Sequence, residues 1–329
     1  MIRVAVDALG GDRAPEEIVA GALLAATDEI KPILYGPSGL GTGGLELVET
    51  DGVVEMHEKP ADVVRAKPDS SLVRAVRAVG DGDADVVVSA GSTGALLAAS
   101  LLHIRRLPGV LRPAIAVMIP ARRGPTVLID GGANADARPE HLVQFAHMGV
   151  VFAEEMLELT DPEVRLLSIG EEPEKGNQLT LEAALLLADS GLRFMGNQEG
   201  RVLLEGQADV IVCDGFTGNV ALKTLEGAIL SVVGSLRTEV AATMRGKIGG
   251  LLIRPAARRL RQRLDPDTYG GAYLLGLRGL VVISHGSSSR RAIANAIALA
   301  ARGVEHRLVE RLAERLPERV VESSRSSTP

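Results

Sequence analysis

The sequence predicts an α/β fold, a mostly parallel sheet covered by helices, and three observations carry that expectation. Short strand-like runs rich in β-branched residues alternate with longer helix-like runs along the chain. Five of the strand-like runs end in glycine with polar residues, the composition of a strand-to-helix turn. One such unit also occurs twice. Residues 84–100, ADVVVSAGSTGALLAAS, and 208–224, ADVIVCDGFTGNVALKT, share Ala, Asp, Val, Val, Gly, Thr and Gly in register.

In chain order the strand-like runs are IRVAVD, PILYG, DVVVSA, AIAVMI, TVLID, RLLSIG, DVIVCD and LVVISH. Helix-like runs such as PEEIVAGALLAA, PEHLVQFAHMGVVFAEEMLEL and SRRAIANAIALAARG lie between them. In each copy of the doubled unit a β-branched run reads as a buried strand, Gly-x-Thr-Gly makes the turn, and a Pro-free apolar run reads as a helix. That junction brings backbone N–H groups and the positive end of the helix dipole to one point, which favours an anion such as phosphate by about 0.3–1 kcal/mol. The second copy adds Asp214, Asn219 and Lys223, so the chemistry is expected there and the first copy reads as the more geometric turn. Strands of a parallel sheet end on one side. The five turns (Asp7 with Gly10 and Gly11, then 91–94, 130–134, 214–219 and 285–289) are therefore expected to line one crevice.

Composition narrows the function classes. With 329 residues, 46% hydrophobic and 24% charged, the chain fits a soluble globular enzyme, read here as one α/β domain over 1–317. A formal charge of -6, no Trp, three Tyr and four Phe argue against nucleic acid as a partner. The single cysteine, Cys213, excludes an intramolecular disulfide framework, and His57, His103, His141, His147 and His306 show no metal-ligand spacing. Neither metal nor cofactor is expected. A strand starting at Ile2 implies no signal peptide, and no window reaches about 18 consecutive apolar residues, so a cytoplasmic location with at most peripheral membrane contact is expected.

The stretches VAVDALGGDRAPEEIVAGAL, SAGSTGALLA, IDGGANADARPEHLVQFA, SIGEEPEKGNQLT, FMGNQEGR, CDGFTGNVALKTLEG and YGGAYLLGLRGLVVISHGSS span most of the chain. In that order they resemble the bacterial phosphate acyltransferases (acyl-ACP:phosphate acyltransferases, the PlsX family). The resemblance implies transfer of a fatty acyl group from the thioester of acyl carrier protein (ACP) to inorganic phosphate, giving acyl phosphate and free ACP for phospholipid synthesis. It also implies a homodimer and a three-layer α/β/α fold similar to the isocitrate and isopropylmalate dehydrogenases. Two positions depart from the family pattern. Ser92 stands where Asn is expected, and Tyr273 stands where Pro is expected, a change read as confined to a loop.

Phosphate is largely dianionic at neutral pH and a thioester carbonyl is electrophilic, so a strong general base is not obligatory. The reaction needs a phosphate cradle, a donor or cation for the oxyanion, and placement of both reactants. Gly91, Ser92, Thr93 and Gly94, and Gly215, Thr217 and Gly218, are the candidate cradles, with Asp130, Asn134, Asn177 and Asn197 as further substrate-binding candidates. Thr93, Asn134, Thr217 and Asn219 are expected to donate hydrogen bonds to phosphate or the acyl carbonyl. Among Glu171, Glu172 and Glu174, Lys175 by itself reads as a solvated charge run. The resemblance of EKGNQLT makes it a candidate to bind phosphate or the oxyanion, with Asp214 holding it or positioning a proton, and its loss is expected to lower turnover ~100-fold. Asn219 and His285 complete the candidate catalytic set, His285 as an acid for the departing thiolate. The residues alone leave Asp214 equally a helix cap and His285 equally a turn residue. Cys213 belongs to a buried strand and is read as an inert thiol, not an acyl-enzyme nucleophile.

Gly39-Leu-Gly-Thr-Gly-Gly44 formally satisfies the dinucleotide pattern G-x-G-x-x-G, but the helix after it is meagre and a surface loop is the better reading. Residues 237–263 carry eight Lys or Arg against one Glu. Ile248, Leu252, Ala256, Leu260 and Leu264 recur every four residues, while Gly249, Gly250 and Pro255 are expected to split the segment into two short helices around an apolar tip. Such a pair suits an anionic lipid surface, the acidic ACP or a dimer contact. The resemblance implies peripheral membrane association, with Leu251, Leu252 and Ile253 in 237–264 as the contact. Residues 318–329 read as a disordered tail. Two other functions stand beside the acyltransferase: a dehydrogenase on the related fold, and a non-catalytic membrane scaffold for lipid synthesis.

Overall fold

Strand β1 (Ile2–Asp7) leads through helix α1 (Glu16–Ala25) to β2 (Ile30–Gly36), β3 (Glu46–Glu49), α2 (Pro60–Ala66), α3 (Ser71–Asp81), β4 (Val86–Ser89) and α4 (Thr93–His103). The middle of the chain forms β5 (Ala114–Ala121), β6 (Gly124–Ile129), α5 (Pro139–Leu157), β7 (Val164–Ser168), α6 (Gln178–Ala188), β8 (Phe194–Glu199) and β9 (Val210–Val212). Helices α7 (Gly215–Ala242) and α8 (Met244–Leu264) precede β10 (Ala272–Leu275), β11 (Leu280–Ile283), α9 (Arg290–Glu305) and α10 (Leu308–Arg315). These coordinates are a computed structural model that describes residues 1–55, 57–264 and 270–316. The expected tail at 318–329 lies outside the described residues.

The described strands form one sheet in the order β3-β2-β1-β4-β11-β10-β5-β6-β9-β7-β8. Two blocks, β3-β2-β1-β4-β11 and β6-β9-β7-β8, are internally parallel, so the sheet is mostly parallel as expected. Between the blocks, β11 with β10, β10 with β5, and β5 with β6 are all antiparallel. Three reversals in succession leave the second block running opposite to the first. The carboxyl ends of β1, β4 and β11 therefore lie at one edge of the sheet, and those of β6, β9 and β7 at the other. This corrects the expectation of one crevice lined by five turns. The cause is local: only Arg122 and Arg123 separate the paired residues Ala121 and Gly124, and so short a connection permits only an antiparallel hairpin.

Alternate residues of β5 face opposite layers. Ala114, Ala116 and Met118 join the core formed with Ile18 of α1, Phe145 of α5 and Ile293 of α9. Ile115 packs with Leu72 of α3 and Leu96 of α4, and Ile119 joins the cluster beneath Ala221, Leu222 and Leu225 of α7. The three-layer α/β/α arrangement follows. Tyr273 is not in a loop, as its departure from the family pattern suggested. It lies on β10, fully buried, with its ring edge-on to Phe152 at 5.4 Å and its hydroxyl donating to the Leu299 carbonyl. Burial in strand and helix apolar surface raises its hydroxyl pKa.

The basic segment also differs from expectation. The chain breaks at Thr243, whose extended backbone (φ -126, ψ 157) separates two long helices, and α8 runs on through Gly249, Gly250 and Pro255. Gly250 serves close approach, not a hinge: a Cβ there would meet Val240 Cγ1 at 2.6 Å, across the α7–α8 contact, whereas a Cβ at Gly249 would meet open space. Pro255 removes one backbone donor from an exposed helix, so the carbonyl it leaves unpaired is open to solvent. The outer half of α7 has Leu230 at 72% and Val232 at 67% exposure, and Leu251, Leu252 and Ile253 of α8 are exposed as well. Among the described residues α7 is the one helix long and apolar enough to cross a membrane, by length and mean hydropathy alone. Its apolar residues are interleaved with Gly, Ser and Thr, so no continuous apolar run exists.

Helices α1 and α9 are joined at their first turns. Gly21 lets them touch, since a Cβ there would meet Ile293 Cβ at 2.5 Å. Beside it the Glu17 carboxylate accepts from Arg290 N at 2.6 Å and Nε at 3.1 Å. These hydrogen bonds, the side-chain ones foremost, hold the Glu17 carboxyl down at about 2. A depressed carboxylate stabilises the fold fully above its unfolded value of ~4.3, and the contribution is lost as pH falls through the folded value. The melting-temperature difference between the native chain and Glu17→Gln is therefore expected to be constant above about pH 5 and to shrink between about pH 4 and 2. A difference that stays constant down to pH 2 contradicts this pairing.

Candidate functional site

At the first edge, Asp7 ends β1 with 1% exposure. Its Oδ1 accepts from Ser71 Oγ at 2.6 Å and its Oδ2 from Ser89 Oγ at 2.7 Å, while Ser89 Oγ in turn accepts from Gly91 N at 3.0 Å. Burial raises the carboxyl's pKa, against the opposing effect of the two hydroxyls. Ser71 and Ser89 had no distinguishing sequence signal, because only the fold brings α3 and β4 to β1. The network fixes the start of α4, whose N-cap Ser92 accepts from Ala95 N at 3.4 Å, so the serine performs the cap. The N–H groups of Thr93 and Gly94 have no acceptor among the described residues. An anion there meets unspent donors and the helix dipole. His285 belongs to the same edge: Ile283 pairs with Ser89, so His285 and Gly91 each stand two residues beyond a matched pair.

At the opposite edge, Asp130 is fully buried and both its oxygens are filled. Oδ1 accepts from the N–H groups of Ile115 (3.1 Å), Gly132 (3.1 Å) and Ala133 (2.8 Å). Oδ2 accepts from Asn134 N and Nδ2, both at 2.8 Å. Asn134 Nδ2 also donates to the Pro113 carbonyl at 2.7 Å. Asp214 caps α7, accepting from Thr217 N at 2.9 Å and Thr217 Oγ1 at 2.6 Å, and Gly215 N donates to the Asn134 carbonyl at 2.8 Å. Gly218 is pressed against β6, for a Cβ would meet the Asp130 carbonyl at 2.1 Å. The donors of Asn134, Thr217, Gly215 and Gly218 are thus bonded inside the protein in this structure. Asp130 and Asp214 shape the turn. Asn219 stands over Gly132, 3.5 Å from its Cβ position, and remains available.

Lys175 lies on this second edge. Leu166 pairs with Val212, so Ser168 is level with Asp214. The lysine's backbone is pinned: its carbonyl accepts from Ser168 Oγ at 3.0 Å and Asn197 Nδ2 at 3.2 Å, while Asn177 caps α6 through Thr180 N at 2.9 Å. Its ammonium has no ion-pair partner among the described residues, so Asp214 does not hold it. Between β4 and β7 lie five strands. At about 4.8 Å per strand spacing, roughly 29 Å separates Lys175 from the α4 turn, and one chain's Lys175 and Thr93 do not meet the same phosphate.

Helix α7 spans the gap. From Asn219 one helical turn leads to Lys223, whose Nζ lies 2.9 Å from His285 Nε2 and 2.9 Å from Glu226 Oε2. On the other side of the ring, His285 Nδ1 accepts from Ser287 N at 3.3 Å and lies 2.8 Å from Ser287 Oγ. The Lys223–His285 pair joins residues 62 apart in sequence and was not legible from it. Cys213 is buried beneath α7 and burial pushes its thiol well above the usual range, in keeping with an inert residue. The glycine-rich segment at 39–44 is followed by strand β3, not by a helix, which removes the dinucleotide reading.

The family model described as fatty acid synthesis protein matches residues 2–311. A phosphate acyltransferase of Desulfitobacterium hafniense (strain Y51) is 48% identical over 321 residues, covering 94% of this chain and 96% of that protein. Among solved structures, a branched-chain phosphotransacylase from Enterococcus faecalis V583 superimposes with a TM-score of 0.60 at 18% identity, over 93% of this chain and 100% of that one. A 4-hydroxythreonine-4-phosphate dehydrogenase from Klebsiella pneumoniae gives 0.51 at 12% identity, over 91% and 98%. At such identities the structural likeness concerns the fold alone, and the α/β class expected from sequence is the one observed.

The separation of the two lysines generates a test. Lys223→Ala is expected to lower kcat for acyl transfer to phosphate by ~100-fold, the scale for removing one electrostatic group at a reacting centre. Lys175→Ala, contrary to the expectation from sequence, is expected to raise KM for the acyl donor more than it lowers kcat. Steady-state kinetics on both variants checks this; a ~100-fold kcat loss in Lys175→Ala with unchanged KM overturns the assignment.

Proposed function

This chain belongs to the phosphate acyltransferase family and is an acyltransferase of fatty acid and lipid synthesis; we propose that it moves a fatty acyl group from the thioester of ACP to inorganic phosphate. The observation that carries the phosphate half is the open first turn of α4, where Thr93 and Gly94 N–H groups stand unspent above the Asp7–Ser89–Gly91 network. The thioester lies along α7, its carbonyl toward Asn219 and Lys223. A phosphate oxygen attacks the carbonyl carbon, a C–O bond forms, and the oxyanion is met by these two side chains. The C–S bond then breaks as the carbonyl re-forms. The proton of the attacking phosphate dianion passes to the leaving sulfur by way of the Lys223–His285 pair, so acyl phosphate and free thiol form without net gain or loss of protons. Lys175, at the other edge, meets anionic parts of the donor.

A dehydrogenase reading is not favoured: the likeness to a dehydrogenase is one of fold, and the glycine-rich segment lacks its helix. The exposed apolar surfaces of α7 and α8, with the basic side chains of α8, support a cytoplasmic homodimer that docks peripherally on anionic membrane through Leu251, Leu252 and Ile253.

Purified protein with acyl-ACP and phosphate is expected to yield acyl phosphate and an equal amount of free ACP thiol, measured by mass spectrometry and thiol titration. A scaffold turns over neither, and a dehydrogenase changes nicotinamide absorbance instead. For the docking surface, Leu251→Glu with Leu252→Glu is expected to abolish flotation with anionic liposomes. Undiminished flotation of a dimeric variant excludes this segment as the anchor.

A further inference from the structure

An acidic chain of net charge -6 gathers five arginines at the edge of the sheet that holds Asp130 and Asp214. Arg105, Arg106 and Arg112 come from the loop between α4 and β5, Arg138 is the N-cap of α5, and Arg278 lies in the β10–β11 turn. All five are exposed. None forms an ion pair among the described residues, unlike Arg3 with Asp85, Arg290 with Glu17 or Arg315 with Glu154.

The patch is built rather than incidental. Arg105 adopts a left-handed backbone (φ 68). Arg278 N donates to the Arg105 carbonyl at 3.0 Å and Arg278 Nε to the Arg106 carbonyl at 3.1 Å. Arg106 Nη1 donates to the Val110 carbonyl at 3.1 Å. From below, the fully buried Gln144 of α5 spends its amide on the same loop, accepting from Leu111 N at 2.7 Å and donating to the Gly109 carbonyl at 3.0 Å. A buried polar side chain committed to one surface loop fixes that loop before any partner arrives, which lowers the entropy cost of docking. Leu101, Leu102 and Leu111 are 36%, 49% and 41% exposed, and Leu101 joins Arg105 and Arg106 around a hollow of about 420 Å³. Apolar side chains among unpaired guanidinium groups match a helix that presents carboxylates around apolar residues.

We infer that this surface is where the acidic acyl carrier protein docks. The inference rests on the reaction proposed above. The patch borders the donor side of the site: Asn134 Nδ2 bonds the Pro113 carbonyl, one residue from Arg112, and Asn134 in turn holds the start of α7. A carrier seated there feeds its thioester arm along α7 toward Asn219 and Lys223, while phosphate occupies the α4 turn at the other edge. Charge complementarity of this kind steers association and weakens with salt.

The test reverses two charges that bear no structural hydrogen bond, Arg105→Glu with Arg112→Glu. Melting temperature is expected to stay within about 2 °C of the native chain, as for surface substitutions. KM for acyl-ACP is expected to rise about tenfold or more with kcat within about twofold, and calorimetric binding of free ACP to weaken by a similar factor. The native KM is expected to climb with added NaCl and the variant's to climb less. Unchanged KM and unchanged ACP binding overturn the inference. So does a variant that keeps acyl-ACP affinity but loses anionic vesicles, which assigns the patch to lipid. If the native chain makes no acyl phosphate from acyl-ACP, the functional reading fails instead, and ACP calorimetry still decides the surface.

Discussion

Two carboxylates buried in the sheet, Asp7 and Asp130, constrain everything around them. A carboxylate removed from water is tolerated only when its oxygens are filled by donors, each charge-assisted bond contributing about 1.5–3 kcal/mol. Asp130 is filled by backbone N–H groups of Ile115, Gly132, Ala133 and Asn134 together with the Asn134 amide, so the entire 130–134 turn is wound around it. Asp7 is filled by two hydroxyls from α3 and β4, one of which holds Gly91. Moving either turn strips donors from a buried charge. The turns are therefore rigid before substrate binds, which is the condition for electrostatic stabilisation without reorganisation at the moment of reaction.

The strands and the doubled strand–turn–helix unit were legible because their signals are local: β-branched runs, glycine turns, N-cap serine and aspartate. The reversal of the sheet was also written locally, in the two residues between Ala121 and Gly124, yet reading strands one at a time passes over it. Donor availability was not legible. Whether Asn134 or Thr217 can bind phosphate depends on the Pro113 carbonyl and the Asp214 carboxylate, contacts that exist only after folding. Glycine misled at 250 for a physical reason. The same residue marks a hinge or a close helix contact, and only the nearness of Val240 to Gly250 tells which. Lys223 stood out in sequence, but its partner His285 is supplied by the last parallel strand of the other block.

Because the two blocks run in opposite directions, no single edge of the sheet holds all the candidate site residues, and one helix runs between the edges. Helix α7 does so from a start fixed by Asp214, Gly215 and Gly218 against Asp130 and Asn134. Its 28 residues extend about 42 Å, far beyond a strand of three to eight residues. The inner part is held by Ala221, Leu222 and Leu225 on the sheet, whereas the outer part has no sheet left to cover and leaves Leu230, Val232 and Leu236 exposed. The exposed apolar surface lies beyond the crossing: Lys223, the ninth residue of α7, already reaches His285, and from Leu230 outward the helix runs past the core. Apolar area left in water in this way costs about 25 cal/mol per Å² relative to burial, which makes the hairpin of α7 and α8 the face of the molecule with most to gain from a cover.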